Sequence, residues 1–412
     1  MTRLFWIRTL CLPLVVAATS PAPRGTCDDE SRTSALFVCP TAFRGAIAPW
    51  VRYRRDQGID VRVLDSFASS AELTSAIRAE ARESDRYLFL VGDAPVIGKE
   101  ADPTSQIPMH YTATTVTAKF GSTPTLATNY PYGDTDGDGK IDLAVGRLPV
   151  RSTVQFQDFF RRIRAYESSQ DFSFWRERVQ LVGGVGGFGM LADSAIESVT
   201  RMMVTASLPK SVRTSVAYGS PGHLFYPRKR FSEAVIDRYS EGCRFWVYAG
   251  HGMVDRLDQV PQGPTGVPVL DSDSVNHLKC DPANAPIAVL LCCFTGAIDA
   301  GVDSFAERML MNPCGPIAII AGNRVTMPYG NATLTLGLID AVYGDGLPAT
   351  DSDPALRPAL RPAKRIGDAW HAAVRKLQSE QEAERSQLQT MLDAVATLVS
   401  PAGSKLADER FE

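Results

Sequence analysis

From residue 35 onward, short apolar runs alternate with longer amphipathic stretches. Ala35–Cys39 reads as a buried strand, and the helical stretch after it stops at Gly58, a left-handed cap. Ile59–Leu64 is a second strand. Ser69-Ser-Ala-Glu72 matches a capping box opening the next helix, and Tyr87–Asp93 is a third strand. Residues 94–133 lack a clear period and read as a long loop with hairpin elements. Ile141–Val145 is another strand and Ser152–Tyr166 an amphipathic helix. Val179–Val182 starts a second series, continued by Phe245–Tyr248, Ile287–Leu291 and Ile317–Ala321 with helical stretches between them. This alternation predicts an α/β fold, a mostly parallel sheet with helices on both faces. Its two sub-domains are expected over residues 33–170 and 175–345. A Pro-rich linker over 346–364 and a helical segment over 365–412 follow, with a polar gap at Gln378–Gln387 that should break or turn the helix.

Composition changes this picture in three ways. A chain of 412 residues holds two domains or one large two-part domain. A net charge of −3 with no long basic run argues against nucleic acid or anionic membrane as a main partner. The first 22 residues are set apart from the fold: Arg3 and Arg8 flank a short apolar start, Leu10–Ala18 forms an apolar core, and Thr-Ser-Pro-Ala follows. They read as a secretory signal peptide cleaved near Ser20–Ala22, too short to span a bilayer. The expected location is therefore secreted, periplasmic or at the cell surface, with no membrane span once the signal is removed. Of eight cysteines Cys11 leaves with the signal, so seven remain, and at least one thiol stays unpaired within the monomer. No CxxC pair has metal spacing, which makes structural zinc an unexpected feature.

The candidate chemistry sits at strand ends. Arg244-Phe-Trp-Val-Tyr-Ala-Gly250 stops at His251-Gly252, and Ile287-Ala-Val-Leu-Leu-Cys-Cys293 stops at Phe-Thr-Gly296. Open α/β sheets bind ligands just outside the carboxyl ends of their strands. Adjacent strands would hold an imidazole and a thiol together, the arrangement that a thiolate nucleophile needs. The backbone N–H groups of Gly252 and Cys293 would then face a developing oxyanion. On spacing alone, two buried thiols and a surface histidine fit equally well.

Two further motifs carry chemistry. Asp134-x-Asp136-x-Asp138-Gly139-x-Ile141-Asp142 places carboxylates at alternate positions before a glycine, as a hard cation such as calcium requires. Val145 stands where such a loop normally has a bidentate glutamate. Gly184-Val-Gly-Gly-Phe-Gly189 fits a dinucleotide fingerprint and supports an alternative reading as a dinucleotide-binding oxidoreductase. No strand ending in Asp or Glu follows about twenty residues later, so a glycine-rich turn is the preferred reading. His110, His223, His277 and His371 have no ligand-like spacing, and no GxSxG elbow occurs.

At these residues the chain resembles the gingipain family of cysteine peptidases in the caspase-like clan. The resemblance is carried by Tyr248-Ala-Gly-His-Gly252, Leu291-Cys-Cys-Phe-Thr-Gly296, Asp303-Ser-Phe-Ala-Glu307, Ile317-Ala-Ile-Ile-Ala-Gly322, Tyr87–Ala94 and Asp136–Val150, and covers roughly residues 33–345. It implies a caspase-like (flavodoxin-like) fold and a secreted cysteine endopeptidase acting on protein or peptide. Cys293 would be the nucleophile, His251 the base and acid, and Asp142, four positions before Gly146-Arg147, the residue orienting the imidazole. No cofactor is required for that chemistry; calcium at Asp134, Asp136 and Asp138 would be structural. The resemblance also implies strong P1 selectivity with Arg or Lys favoured, and a carboxylate to receive it; Asp158, Asp299 and Asp303 are the candidates. Some relatives cut a sorting signal and transfer the protein onward, so a surface transpeptidase or an inactive scaffold is the alternative within the same fold.

Overall fold

The computed structural model describes residues 33–114, 122–171, 173–186, 208–209, 211–343 and 363–379. The expected signal peptide, the end of the Gly184–Gly189 motif, most of the expected linker and residues 380–412 lie outside them.

The first strands form one parallel sheet. They are β1 (Ser34–Val38), β2 (Asp60–Leu64), β3 (Asp85–Val91) and β6 (Ala144–Leu148), in the order β2-β1-β3-β6. Between β3 and β6 the chain makes an antiparallel hairpin of β4 (His110–Ala113) and β5 (Thr125–Thr128), the hairpin expected within residues 94–133. Side chains of β1 alternate between two cores, as the two-residue period of a strand dictates. Ala35, Phe37 and Cys39 meet Trp50 of helix α1 (Arg44–Asp56) and Phe156 and Phe160 of α3 (Thr153–Glu167). Leu36 and Val38 meet Leu73 and Ile77 of α2 (Ser70–Glu80) on the other face. Both faces are covered, which explains why β1 reads as a continuous apolar run. The Ser69 and Ser152 hydroxyls cap α2 and α3 by accepting from the N–H groups of Glu72 and Gln155.

A second parallel sheet holds β7 (Arg178–Gly183), β8 (Arg213–Tyr218), β9 (Phe245–Ala249), β12 (Ile287–Leu291) and β13 (Ala318–Ala321), ordered β13-β12-β9-β7-β8. A short antiparallel pair, β10 (Gln259–Val260) and β11 (Val267–Pro268), lies in the β9–β12 crossover. Trp246, Tyr248, Ala288 and Leu290 pack with Phe231 and Val235 of α4 (Phe231–Ser240) and Phe305 and Met309 of α5 (Phe305–Met311). Val247, Val289 and Leu291 pack with Leu338 and Ile339 of α6 (Pro328–Tyr343) and with Ala369 and Ala373 of α7, helical at 366–379. No helix among the described residues is long and apolar enough to cross a membrane.

Two expectations need correction. The fourth strand is Ala144–Leu148 rather than Ile141–Val145. Ile141 and Leu143 are buried, but the N–H groups of Asp142 and Leu143 close onto the Gly133 carbonyl, so the apolar run begins inside a turn. The strand at Arg213–Tyr218 was not expected. It lies at a sheet edge and opens with Arg-Thr-Ser, a polar composition typical of edge strands.

Charged side chains join the two sheets near the carboxyl ends of their strands. Arg151, three residues past β6, bonds Asp93 beyond β3 at 2.5 Å, Glu307 of α5 at 3.1 Å, and Asp303. Burial pushes the Glu307 carboxyl up to about 7. From α3, buried Arg162 donates to the carbonyls of Leu310, Gly315 and Pro316.

Candidate active site

Strands β9 and β12 are parallel neighbours, with Ala249 opposite Leu291. His251 and Cys293 are each two residues beyond that pair, so the register sets them side by side at the carboxyl edge, on backbones about 4.8 Å apart where the ladder ends. The Gly250 N–H still reaches the Leu291 carbonyl at 3.4 Å. Gly252 then presses against the Cys293 segment. A Cβ there would lie 2.6 Å from the Cys293 carbonyl oxygen and 2.8 Å from Cys292 Sγ, so only glycine lets the two loops meet.

The two adjacent thiols are sorted by the strand's alternation. Cys292 is 1% exposed, belongs to the core, and lies 3.3 Å from the Thr295 hydroxyl. Burial pushes its thiol up to about 12. Cys293 is half-buried and points the other way, toward Thr326: the Thr326 N–H donates to its sulfur at 3.4 Å. The next residue, Phe294, has φ 58°, a left-handed conformation uncommon outside glycine. It is held by Phe294 N–H to the Arg324 carbonyl (3.2 Å) and Thr295 N–H to the Cys293 carbonyl (2.7 Å). This bend turns the chain sharply at Cys293, and strain of this sort gathers at functional sites. Among the described residues, neither the Gly252 nor the Cys293 N–H donates to a protein acceptor.

Beneath His251, fully buried Tyr248 donates its hydroxyl hydrogen to the His251 carbonyl at 2.7 Å and accepts from the Asp258 N–H at 3.1 Å. The Asp258 carboxylate accepts from the N–H groups of Val185 (3.0 Å) and Gln259 (2.8 Å). A Cβ on Gly184 would meet Asp258 at 2.8 Å. The first turn of the dinucleotide-like motif thus holds the chain's own carboxylate, whose charge opposes a phosphate there. Tyr248 and Asp258 were not singled out from sequence as site residues, although Tyr248 stands inside the Tyr-Ala-Gly-His-Gly motif.

A buried ion pair underlies the Cys293 loop. Arg324 and Asp299 are bidentate, at 2.9 and 2.6 Å, and are 7% and 2% exposed. Burial alone would raise the Asp299 carboxyl; bonds from Arg324 and its charge outweigh that and hold it below the usual carboxylate range. Tyr111 of β4 donates to Asp299 at 3.1 Å, and Arg324 Nε donates to the Thr125 carbonyl of β5 at 3.3 Å. The hairpin from the first half of the chain therefore clamps the Cys293 loop of the second. All three carboxylates expected to receive a P1 cation bond arginines: Asp299 with Arg324, Asp303 with Arg151, and Asp158 with Arg161.

Asp142 belongs to the acidic loop. It precedes the amino end of β6, whereas His251 follows the carboxyl end of β9. β6 itself runs about 13 Å at roughly 3.3 Å per residue, and it is its Leu148 end that joins the second sheet through Arg151. The Asp142 carboxylate accepts from the Thr135 N–H (2.8 Å) and hydroxyl (2.7 Å), closing the acidic loop. In that loop Asp134, Asp136 and Asp138 each offer an oxygen within 4.8 Å of the others. Asp134 accepts from the N–H groups of Gly137 (2.7 Å) and Gly139 (3.3 Å), and Arg78 lies 3.4 Å from its second oxygen. His371 lies 3.0 Å from the Ile141 carbonyl oxygen, at hydrogen-bond distance.

The family model for peptidase family C25 matches residues 28–395. Among solved structures, the Arg-specific cysteine proteinase gingipain R has 15% identity and a TM-score of 0.58, over 85% of this chain and 73% of that one. A structure described as a protease has 16% identity and a TM-score of 0.55, over 74% of this chain and 63% of that one, so the match spans less than two thirds of its length. The complex of Porphyromonas gingivalis RgpB pro- and mature domains has 16% identity and a TM-score of 0.53, over 75% of this chain and 68% of that one. No curated protein matches the chain. Parallel sheets with helices on both faces agree with the caspase-like fold of these neighbours. With the family model matched across both sheets and the strand ends that carry His251 and Cys293, the chain belongs to peptidase family C25, the gingipain family of cysteine peptidases.

Proposed function

We propose that the protein is an exported cysteine endopeptidase working through a Cys293–His251 dyad. The observation that carries this reading is the level placement of both residues at the carboxyl ends of adjacent parallel strands. His251 takes the Cys293 proton, and the thiolate forms a C–S bond to the substrate carbonyl carbon. The carbonyl π electrons move onto oxygen, which the N–H groups of Gly252 and Cys293 stabilise. As the C–N bond breaks, His251 returns the proton to the leaving amine. Water then hydrolyses the thioester. Tyr248 holds the His251 backbone throughout. The charged start of the chain and its apolar Leu10–Ala18 run support export.

The family likeness suggests Arg or Lys at P1. Against that, Asp158, Asp299 and Asp303 are each already bonded to an arginine. The direct test is covalent labelling with acyloxymethyl ketones bearing Arg, Lys, Asn or Asp at P1, mapped by mass spectrometry. Labelling at Cys293 that disappears in His251→Ala is expected. Labelling at Cys292 would put the nucleophile one residue away.

We also propose that the acidic loop binds a structural calcium ion. Three carboxylates on one turn are suitable hard ligands, while Val145 leaves the usual bidentate place without an oxygen donor. Calcium at ten times its Kd should stabilise the folded protein by about 1.4 kcal/mol. The thermal midpoint is expected to rise with calcium in wild type and to stay fixed in Asp136→Ala. An equal rise in both would remove this loop as the site.

A further inference from the structure

Thr326 surrounds the Cys293 sulfur with three polar atoms. Its N–H donates to Sγ at 3.4 Å, its hydroxyl oxygen lies 3.9 Å from Sγ, and its carbonyl oxygen lies 3.8 Å away. The hydroxyl has its own partner: Asn331 Nδ2 in the first turn of α6 donates to Thr326 Oγ1 at 3.0 Å. An Oγ1 that accepts from Asn331 keeps its single hydrogen for another acceptor. The nearby acceptor is Cys293 Sγ.

The three atoms suit the two states of the sulfur differently. As a thiol, Cys293 has one hydrogen to give, and the Thr326 carbonyl is placed to accept it. As a thiolate it has none, and both the N–H and the O–H of Thr326 can donate to it. Hydrogen bonds to the charged form favour that form. We infer that Thr326 is a further catalytic residue, a two-donor cradle that stabilises the Cys293 thiolate, and that Asn331 positions its hydroxyl. This rests on Cys293 being the nucleophile. No bond is made to Thr326: the S–H bond breaks, the proton goes to His251, and Thr326 keeps its hydrogen while reorienting it toward sulfur.

Neighbouring charges do not supply the same effect. Cys292 is buried with its thiol pushed up to about 12. Arg324 and Asp299 neutralise each other, Asp303 is paired with Arg151, and Asp255 with Arg256. Asp258 is engaged by the Val185 and Gln259 N–H groups. His251, two residues past the β9 position paired with Leu291, is common to every variant below.

The test is the pH dependence of iodoacetamide alkylation at Cys293, mapped by mass spectrometry in the full chain. Thr326→Val conserves shape and the backbone donor but removes the hydroxyl. Its alkylation midpoint is expected to rise by about one pH unit, with roughly tenfold slower alkylation just below the wild-type midpoint. Thr326→Ser should hold the wild-type midpoint, and Asn331→Ala should move in the direction of Thr326→Val by a smaller amount. Circular dichroism and thermal midpoints confirm that each variant is folded. Equal midpoints for wild type and Thr326→Val would overturn the inference and leave Cys293 as nucleophile untouched. Alkylation of wild-type Cys293 no faster than that of Cys280 would overturn both.

Discussion

Cys293→Ala is expected to lower peptide hydrolysis by on the order of 10⁴-fold or more, whereas Cys292→Ala should leave turnover within a few-fold of wild type. Removing a nucleophile eliminates the covalent path and leaves only the residual contribution of binding and oxyanion contacts. The neighbouring thiol cannot take over, because Cys292 is packed in the core and burial pushes its thiol up to about 12. Its replacement removes one buried sulfur beside Thr295, a loss of about 1–2 kcal/mol in stability by the usual cost of a small core cavity. His251→Ala should be nearly as inactive as Cys293→Ala, and combining the two should cost little more, since residues acting as one unit are not additive. Steady-state rates on a peptide pool, with thermal midpoints measured alongside, separate these outcomes. Activity that survives Cys293→Ala but not Cys292→Ala would reverse the assignment.

Arg324→Ala should destabilise the fold by about 3–5 kcal/mol, because it strands the Asp299 carboxylate in the interior. The loss reaches across both halves of the chain. Tyr111 donates to the same carboxylate, and Thr125 accepts from the same guanidinium. Replacing both charges, as in Asp299→Leu with Arg324→Met, should be less damaging than the sum of the two single changes, since no charge is then left unpaired. Urea denaturation of the four proteins in the cycle measures that coupling. Simple additivity would show that the ion pair is not what joins the hairpin to the Cys293 loop. Partial activity in a folded double variant is compatible with this account, because the Arg324 group that holds Phe294 is its backbone carbonyl.

Much of the architecture was legible because both sheets are parallel and buried on both faces. Strands such as Ser34–Val38 and Ile287–Leu291 are short and nearly unbroken in their apolar character, and the abrupt stop at His251 or Cys293 marks a strand's carboxyl end. The first half of the rule for α/β sites, that chemistry lies beyond such ends, was therefore usable without coordinates. The edge strand Arg213–Tyr218 was hidden because an edge needs little apolar surface. The start of β6 was misplaced because Ile141 and Leu143 are buried in a turn, where burial carries no information about backbone conformation.

The order of residues along the chain determined which side chains end their strands, which of the two cysteines follows the core pattern, and where the carboxylates of the acidic loop recur. These are properties of local period and spacing, and they need no partner segment. Tertiary structure alone decided the pairings between segments far apart in sequence. It placed β9 beside β12 in register, set Thr326 against Cys293, tied Asp299 to Arg324, and bonded Asp142 to Thr135 within the acidic loop. Charge satisfaction follows the same logic. Whether a buried aspartate is free to receive a substrate cation or is already neutralised depends on which arginine the fold brings within 3 Å, and for Asp299 that arginine is 25 residues away and two strand ends distant.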